Sequence, residues 1–204
     1  MRHQTIFLGS MTFVLLMVGS SVMAADTERM LFTFNTPDAA NQWQTVNDGV
    51  MGGVSDGRFK INDDKNMEFF GTLSLENNGG FASVRSRPGE VNLKNSDSIT
   101  ARIRGDGREY TMNLYVPRGS GGYSFRQSFN TKKGEWIEVS VPVNKFVATY
   151  RGRVFPNQKL DPNKVNSLGF LLGDKKAGPF KLEVEWIKVQ SSSPTSSGKP
   201  SPTL

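Results

Sequence analysis

An antiparallel β-sandwich or barrel is the fold this sequence predicts, and three observations predict it. Several stretches alternate apolar and polar residues with period two, as half-buried strands do. Glycines and prolines punctuate the chain and keep its apolar stretches short. Helical signal is scarce, and many short strands joined by Gly-rich turns suit two packed sheets better than a helical arrangement.

Met30–Asn35 is the first strand candidate. Thr36-Pro37-Asp38 then reads as an N-cap, a proline at the first helical position and an acid in the first turn, which predicts a short helix reaching about Trp43. Arg58–Asn62, Met67–Leu75 and Phe81–Arg87 follow as strands. In SITARIRG, Ile99, Ala101 and Ile103 share a face opposite Thr100, Arg102 and Arg104. In EYTMNLYV, Tyr110, Met112, Leu114 and Val116 oppose Thr111, Asn113 and Tyr115. Tyr123–Phe129 is the next strand. In EWIEVSVP, Ile137, Val139 and Val141 oppose Trp136, Glu138 and Ser140. Asp161-Pro162 starts a single helical turn before the strand Ser167–Leu172. In PFKLEVEWIKV, Phe180, Leu182, Val184 and Trp186 oppose Lys181, Glu183 and Glu185. No repeat with a period of tens of residues stands out.

The two ends differ from this pattern. Residues 1–24 begin with Arg2 and His3, continue through an apolar run at Ile6–Val18 and end on small residues up to Ala24. That predicts a secretory signal peptide and a periplasmic or secreted chain. An uncleaved anchor is the alternative, for which the run is short. A mitochondrial transit peptide is a second alternative, and it would be amphipathic and Arg-rich. No Cys follows the cut, so no lipid anchor is expected, and no later stretch is apolar enough for a membrane span. Residues 191–204 are rich in Ser and Pro and predict a disordered tail. Residues 25–190 are left as a single domain.

Composition excludes much chemistry. The chain has no Cys, and its only His is His3. Beyond residue 24 there is no imidazole or thiol, so Ser-His-Asp and Cys-His nucleophiles, zinc, copper and non-haem iron sites are out of reach. Carboxylate, Lys, Arg, Tyr and hydroxyl groups remain. The net charge of +6 falls to +5 without Arg2, a modest positive balance that does not call for nucleic acid as a partner.

The stretch VNDGVMGGVSDG is the most unusual local pattern. Gly49, Gly52, Gly53 and Gly57 lack the spacing of a phosphate-binding loop. Asp48 and Asp56 lack the intermediate ligands and closing Glu of a calcium hand, although an irregular structural calcium site at Asp48 stays open. The alternative is a turn whose glycines permit positive φ, with Val50 and Met51 tucked inward as its anchors.

The same residues resemble a known family. Trp43, Asn47-Asp48-Gly49-Val50-Met51-Gly52-Gly53, Ser55, Gly71, Leu73 and Asn78-Gly79-Gly80-Phe81 are similar in order and spacing to the complex I intermediate-associated protein 30 family, and YRGRVF at Tyr150–Phe155 looks like it too. The resemblance spans nearly all of Leu31–Val189. It implies an all-β, galactose-binding-like jelly-roll β-sandwich with one or two short helices. It also implies a non-enzymatic role: mitochondrial members act as assembly chaperones for respiratory complex I, and plastid relatives support photosystem assembly and RNA handling. The same fold serves many carbohydrate-binding modules. The resemblance brings no catalytic residue and no cofactor.

Strand parity supplies candidates for a ligand face. The non-core side gathers Arg85, Arg102, Arg104, Tyr115, Arg126 and Trp136, with Arg87 and Asn113. Arginine grips carboxylates and phosphates through paired hydrogen bonds, and Trp136 on a polar face offers a stacking platform. The alternative is a solvated outer face in which the arginines pair with acids such as Glu138. The expected function is a non-catalytic module binding a protein partner. A carbohydrate- or anionic-polymer-binding module is the alternative, and a two-carboxylate hydrolase is a further one that spacing cannot place.

Overall fold

The computed structural model describes residues 27–89, 91–117 and 122–191. The signal peptide expected at residues 1–24 and, beyond Ser191, the tail expected at 191–204 lie outside the described residues. Among the described residues thirteen strands form two antiparallel sheets packed face to face, the expected all-β sandwich. The six-stranded sheet runs β3 (Asp56–Ile61), β4 (Met67–Leu73), β13 (Gly178–Ser191), β6 (Ser98–Arg104), β9 (Trp136–Pro142), with β1 (Thr27–Thr33) also pairing β13. The seven-stranded sheet runs β11 (Arg153–Val154), β10 (Val147–Tyr150), β8 (Ser124–Asn130), β7 (Glu109–Tyr115), β12 (Ser167–Leu172), β5 (Ala82–Ser86), β2 (Trp43–Thr45).

The alternation read from sequence sets what lies between the sheets. Ile99, Ala101, Ile103, Leu182 and Val184 from one sheet meet Val84, Met112, Leu114, Leu168 and Phe170 from the other, all fully buried. Each such large side chain contributes about 1.5–3 kcal/mol. Within each sheet aromatic side chains also pack edge-on: Phe69 of β4 meets Phe180 of β13 at 4.9 Å, and Phe129 of β8 meets Phe170 of β12 at 6.1 Å.

Three expectations change. The helix from Thr36 to about Trp43 is a turn followed by a 3₁₀ segment at Ala40–Gln42, and among the described residues helix is limited to such short 3₁₀ segments. Trp43 begins β2 instead, pairing with Ser86 and packing edge-on against Phe32 at 5.0 Å. Too few residues separate β1 from β2 for a helix to repay its nucleation cost. The shared face of Phe180, Leu182, Val184 and Trp186 ends at Val184. A register shift between Val184 and Trp186 moves Ile187 and Val189 into the core. Trp186 turns outward, where Lys188 lies 4.7 Å over its ring. One extra residue reverses parity, which periodicity alone does not report. The third change concerns Val50 and Met51 and belongs with the loop below.

At position 71 geometry demands glycine. Gly71 pairs with Gly57 across β3–β4 at φ 153°, and a Cβ there would lie 1.7 Å from the Asp56 carbonyl oxygen. Gly71→Ala should therefore lower stability by roughly 3 kcal/mol or more, read as a fall in thermal midpoint. Gly89→Ala, where a Cβ meets nothing closer than 3.9 Å, should leave the midpoint nearly unchanged.

Candidate functional site

The glycine loop is organised around one carboxylate. Asp48 is fully buried. Its Oδ1 accepts from the Ser55 backbone N–H at 2.9 Å. Its Oδ2 accepts from Ser55 Oγ at 2.6 Å, Gly80 N–H at 2.7 Å and Phe81 N–H at 3.3 Å. Ser55 Oγ in turn accepts from the Ser74 N–H at 3.0 Å. Burial pushes the Asp48 carboxyl up, but the donors outweigh it and hold it below the ordinary value of 3.8. The glycines make room for this contact. A Cβ on Gly53 would lie 2.4 Å from Asp48 Cγ, and one on Gly79 would lie 2.5 Å from Oδ2. Gly52 turns the chain at φ 89°. Asn47 Nδ2 donates to the Gly57 carbonyl at 2.9 Å.

This arrangement corrects the inward tuck expected of Val50 and Met51. They are 72% and 65% exposed. Asp48 occupies the interior position of the 3₁₀ turn Asp48–Met51, so its successors face out. Gly49 has open space around it. Both Asp48 oxygens accept from N–H or O–H donors, one on Oδ1 and three on Oδ2. No group of three His, Cys, Asp or Glu able to hold a metal occurs among the described residues.

The second feature is a row of residues across the outer face of the seven-stranded sheet. Pairing sets Val147, Arg126, Asn113, Gly169, Arg85 and Gln44 side by side on β10, β8, β7, β12, β5 and β2. Gly169 lets the Arg85 side chain cross β12, since a Cβ would stand 3.1 Å from Arg85 Cγ and 2.4 Å from the Val84 carbonyl oxygen. The Arg85 guanidinium then rests 4.7 Å over the Tyr115 ring. Asn113 Nδ2 donates to Tyr115 Oη at 3.1 Å, while the buried Asn113 Oδ1 has no partner. Arg85 Nε donates to Ser83 Oγ and Arg126 Nε to Ser124 Oγ. Burial and the charge of Arg85 push Arg126 below its ordinary value, opposed by Tyr115. Burial raises the Tyr115 phenol against the pull of Arg85. Among the described residues neither arginine has a carboxylate partner.

Beside this row lies an open groove of about 680 Å³. Arg85, Arg126, Arg151 and Lys175 supply its charge, and Met51, Phe81 and Leu171 its apolar surface. Gly80 and Phe81, whose N–H groups hold Asp48, form part of the same wall.

The six residues of the predicted ligand face divide between the two sheets. Arg85, Tyr115 and Arg126 come together on the seven-stranded sheet. Arg102, Arg104 and Trp136 lie on the outer face of the other sheet, and there the arginines are paired. Arg102 meets Glu185 and, at 4.0 Å, Glu138; Arg104 meets Glu183. Glu183 raises the Arg104 value, and Arg104 lowers that of Glu183. The two guanidiniums also lie 5.7 and 4.9 Å over the Trp136 ring. Arg151 and Lys175 escape a sequence reading because each sits on a turn, at positive φ, where periodicity says nothing. Leu171 had a signal: it is an apolar residue at the outward parity of β12.

Comparison with known proteins gives this architecture a family. The model of the complex I intermediate-associated protein 30 family matches residues 32–184. The chain belongs to that family. A relative in Mus musculus, the mitochondrial complex I intermediate-associated protein 30, is 30% identical over 183 residues, covering 79% of this chain and 56% of the relative. The Drosophila melanogaster protein of the same name is 25% identical, covering 79% and 62%. The chain thus spans little more than half the length of the curated relatives it matches. These relatives are mitochondrial, which overturns the periplasmic or secreted location expected from residues 1–24. An apolar run ending in small residues does not by itself determine a compartment. Among solved structures, a family 11 carbohydrate-binding module from Clostridium thermocellum, in complex with a β-1,3-1,4-mixed-linked tetrasaccharide, superposes with TM-score 0.63 at 19% identity, covering 81% of this chain and 96% of the module. The agarase AgWH50C superposes with TM-score 0.55 at 11% identity, covering 82% of this chain and 25% of the enzyme. At these identities the likeness is one of fold, and it agrees with the jelly-roll sandwich of the complex I intermediate-associated protein 30 family.

Asp48→Asn should destabilise the domain by about 3 kcal/mol, because the amide turns an N–H₂ toward donors that need an acceptor. Gly49→Ala in the same loop should be nearly neutral. The Asp48 value is lower folded than unfolded, so its stabilisation is complete above the ordinary value of 3.8 and is lost as pH falls through the folded value. Urea titrations of wild type and Asp48→Asn should show their stability gap narrowing with acid.

Proposed function

We propose that this chain is a non-catalytic binding module that engages a protein partner through the groove side of the seven-stranded sheet. The partner we propose is a complex I intermediate, the association stated in the names of its relatives. One observation carries the reading: large apolar side chains stand in solvent on a loop that is itself pinned to the core. Val50, Met51 and Val54 are 72%, 65% and 52% exposed. Leu75, 43% exposed, lies beside Gly80, which lines the groove with Met51. Hydrophobic side chains held rigidly in water lose little further freedom on binding, which favours association. Among the described residues no group of three His, Cys, Asp or Glu accompanies them, and Asp48 is committed to three backbone N–H groups and the Ser55 hydroxyl.

The carbohydrate alternative has less support. Trp136, its stacking platform, is overlaid by Arg102 and Arg104, and both arginines are tied to glutamates.

Tagged full-length chain, used to capture detergent-solubilised mitochondrial membrane proteins, should retain complex I subunits. Met51→Asp should reduce that recovery by roughly tenfold at unchanged thermal midpoint. Wild-type protein that retains no complex I subunit would refute the proposal.

A further inference from the structure

The groove's charge and lining narrow the chemistry of what it holds. Arg85 and Arg126 stand on the same row of the sheet, separated by Asn113 and Gly169, and both approach Tyr115. On the opposite sheet each arginine of the equivalent pair has a glutamate. Here none is present among the described residues, and Arg151 and Lys175 add positive charge at the rim. Asp48, the acid behind the Gly80–Phe81 wall, is turned inward with its oxygens accepting from N–H and O–H donors. Two half-buried guanidiniums repelling each other are stabilised by an anion that reaches both, and the planar fork of arginine suits a carboxylate.

Further observations bear on which anion. Phe81, Leu171 and Met51 give the groove an apolar side that a bare phosphate or small acid would leave unused. The Tyr115 ring already carries Arg85, so it offers that face to no sugar. A polypeptide brings carboxylates and apolar side chains together.

We propose that this groove takes an extended acidic segment of a protein partner, its carboxylates on Arg85 and Arg126 and its apolar side chains against Phe81, Leu171 and Met51. The inference rests on the protein-binding reading above and gives the partner's chemistry.

The test is fluorescence-anisotropy titration of full-length chain with a short labelled peptide alternating Glu and Leu. The same peptide with Gln for Glu and an oligogalacturonate serve as comparisons. The Glu peptide should bind, more weakly as salt rises. The Gln peptide and the oligogalacturonate should bind at least tenfold more weakly, on the order expected for lost charge-assisted pairs. Arg126→Gln should weaken Glu-peptide binding by roughly tenfold, and so should the rim double variant Arg151→Gln with Lys175→Gln, which disturbs no buried group. Lys132→Gln, an exposed cation outside the groove, should leave it unchanged. Equal binding of Glu and Gln peptides, preference for the oligogalacturonate, or indifference to both groove variants would overturn the inference. Continued capture of complex I subunits by Arg126→Gln and by the rim double variant would also overturn it, while leaving the broader protein-binding function in place.

Discussion

Asp48 carries a carboxylate into the interior, and among the described residues no cation meets it there. Its charge is satisfied by three backbone N–H groups and one hydroxyl, drawn from Ser55 and from the Gly80–Phe81 segment. An isolated buried carboxylate costs several kcal/mol, whereas hydrogen bonds to a charged group contribute about 1.5–3 kcal/mol each. The balance is favourable only if every donor is in place. This requirement reaches three separate pieces of chain: the 3₁₀ turn at Asp48–Met51, the entry to β3, and the connection from β4 to β5. It also accounts for glycine at positions 53 and 79, where any side chain would enter the carboxylate's space. The unusual glycine-rich stretch is a socket for an anion that the chain itself supplies.

That socket joins stability to the groove. Gly80 and Phe81 present N–H groups inward to Asp48 and form a wall of the groove on their other side. Met51 follows Asp48 by three residues and lines the same groove. The positions of the apolar wall are therefore fixed by a polar contact in the interior. A loop held this way keeps Val50 and Met51 in water without the collapse that would otherwise bury them.

Much of the sandwich was legible, and the reasons are physical. A strand with one buried face must alternate, so β6, β7 and β9 declared both their existence and their inward residues. Parity failed where an extra residue intervened, at Val184–Trp186, because a bulge leaves no mark in composition. The helix expected after Thr36 failed because capping signals describe a start and say nothing about whether room for a helix follows. Val50 and Met51 were misplaced by the ordinary rule that apolar residues go inside, since here an acid takes the inside position. The site was legible only in part. Parity showed which arginines face outward; it could not say which sheet each strand joins. Arg85 and Arg126 share a row only because β12 and β7 lie between β5 and β8, a topology that local sequence does not encode.

The division of the arginines shows that residue type alone does not make a site. Arg102 and Arg104 have the same outward parity as Arg85 and Arg126 and the same capacity for bidentate bonds. Their neighbours differ. β13 brings Glu183 and Glu185 alongside β6, so those charges are closed within the fold. β12 brings Gly169 and Leu171 alongside β5, so Arg85 crosses a gap and finds an aromatic ring in place of an acid. A cation–π contact leaves the guanidinium's charge unneutralised and its N–H donors only partly used. Ion pairing therefore engages the arginines on one face of the sandwich, and on the other Arg85 and Arg126 stand without a carboxylate partner among the described residues, near the exposed side chain of Met51.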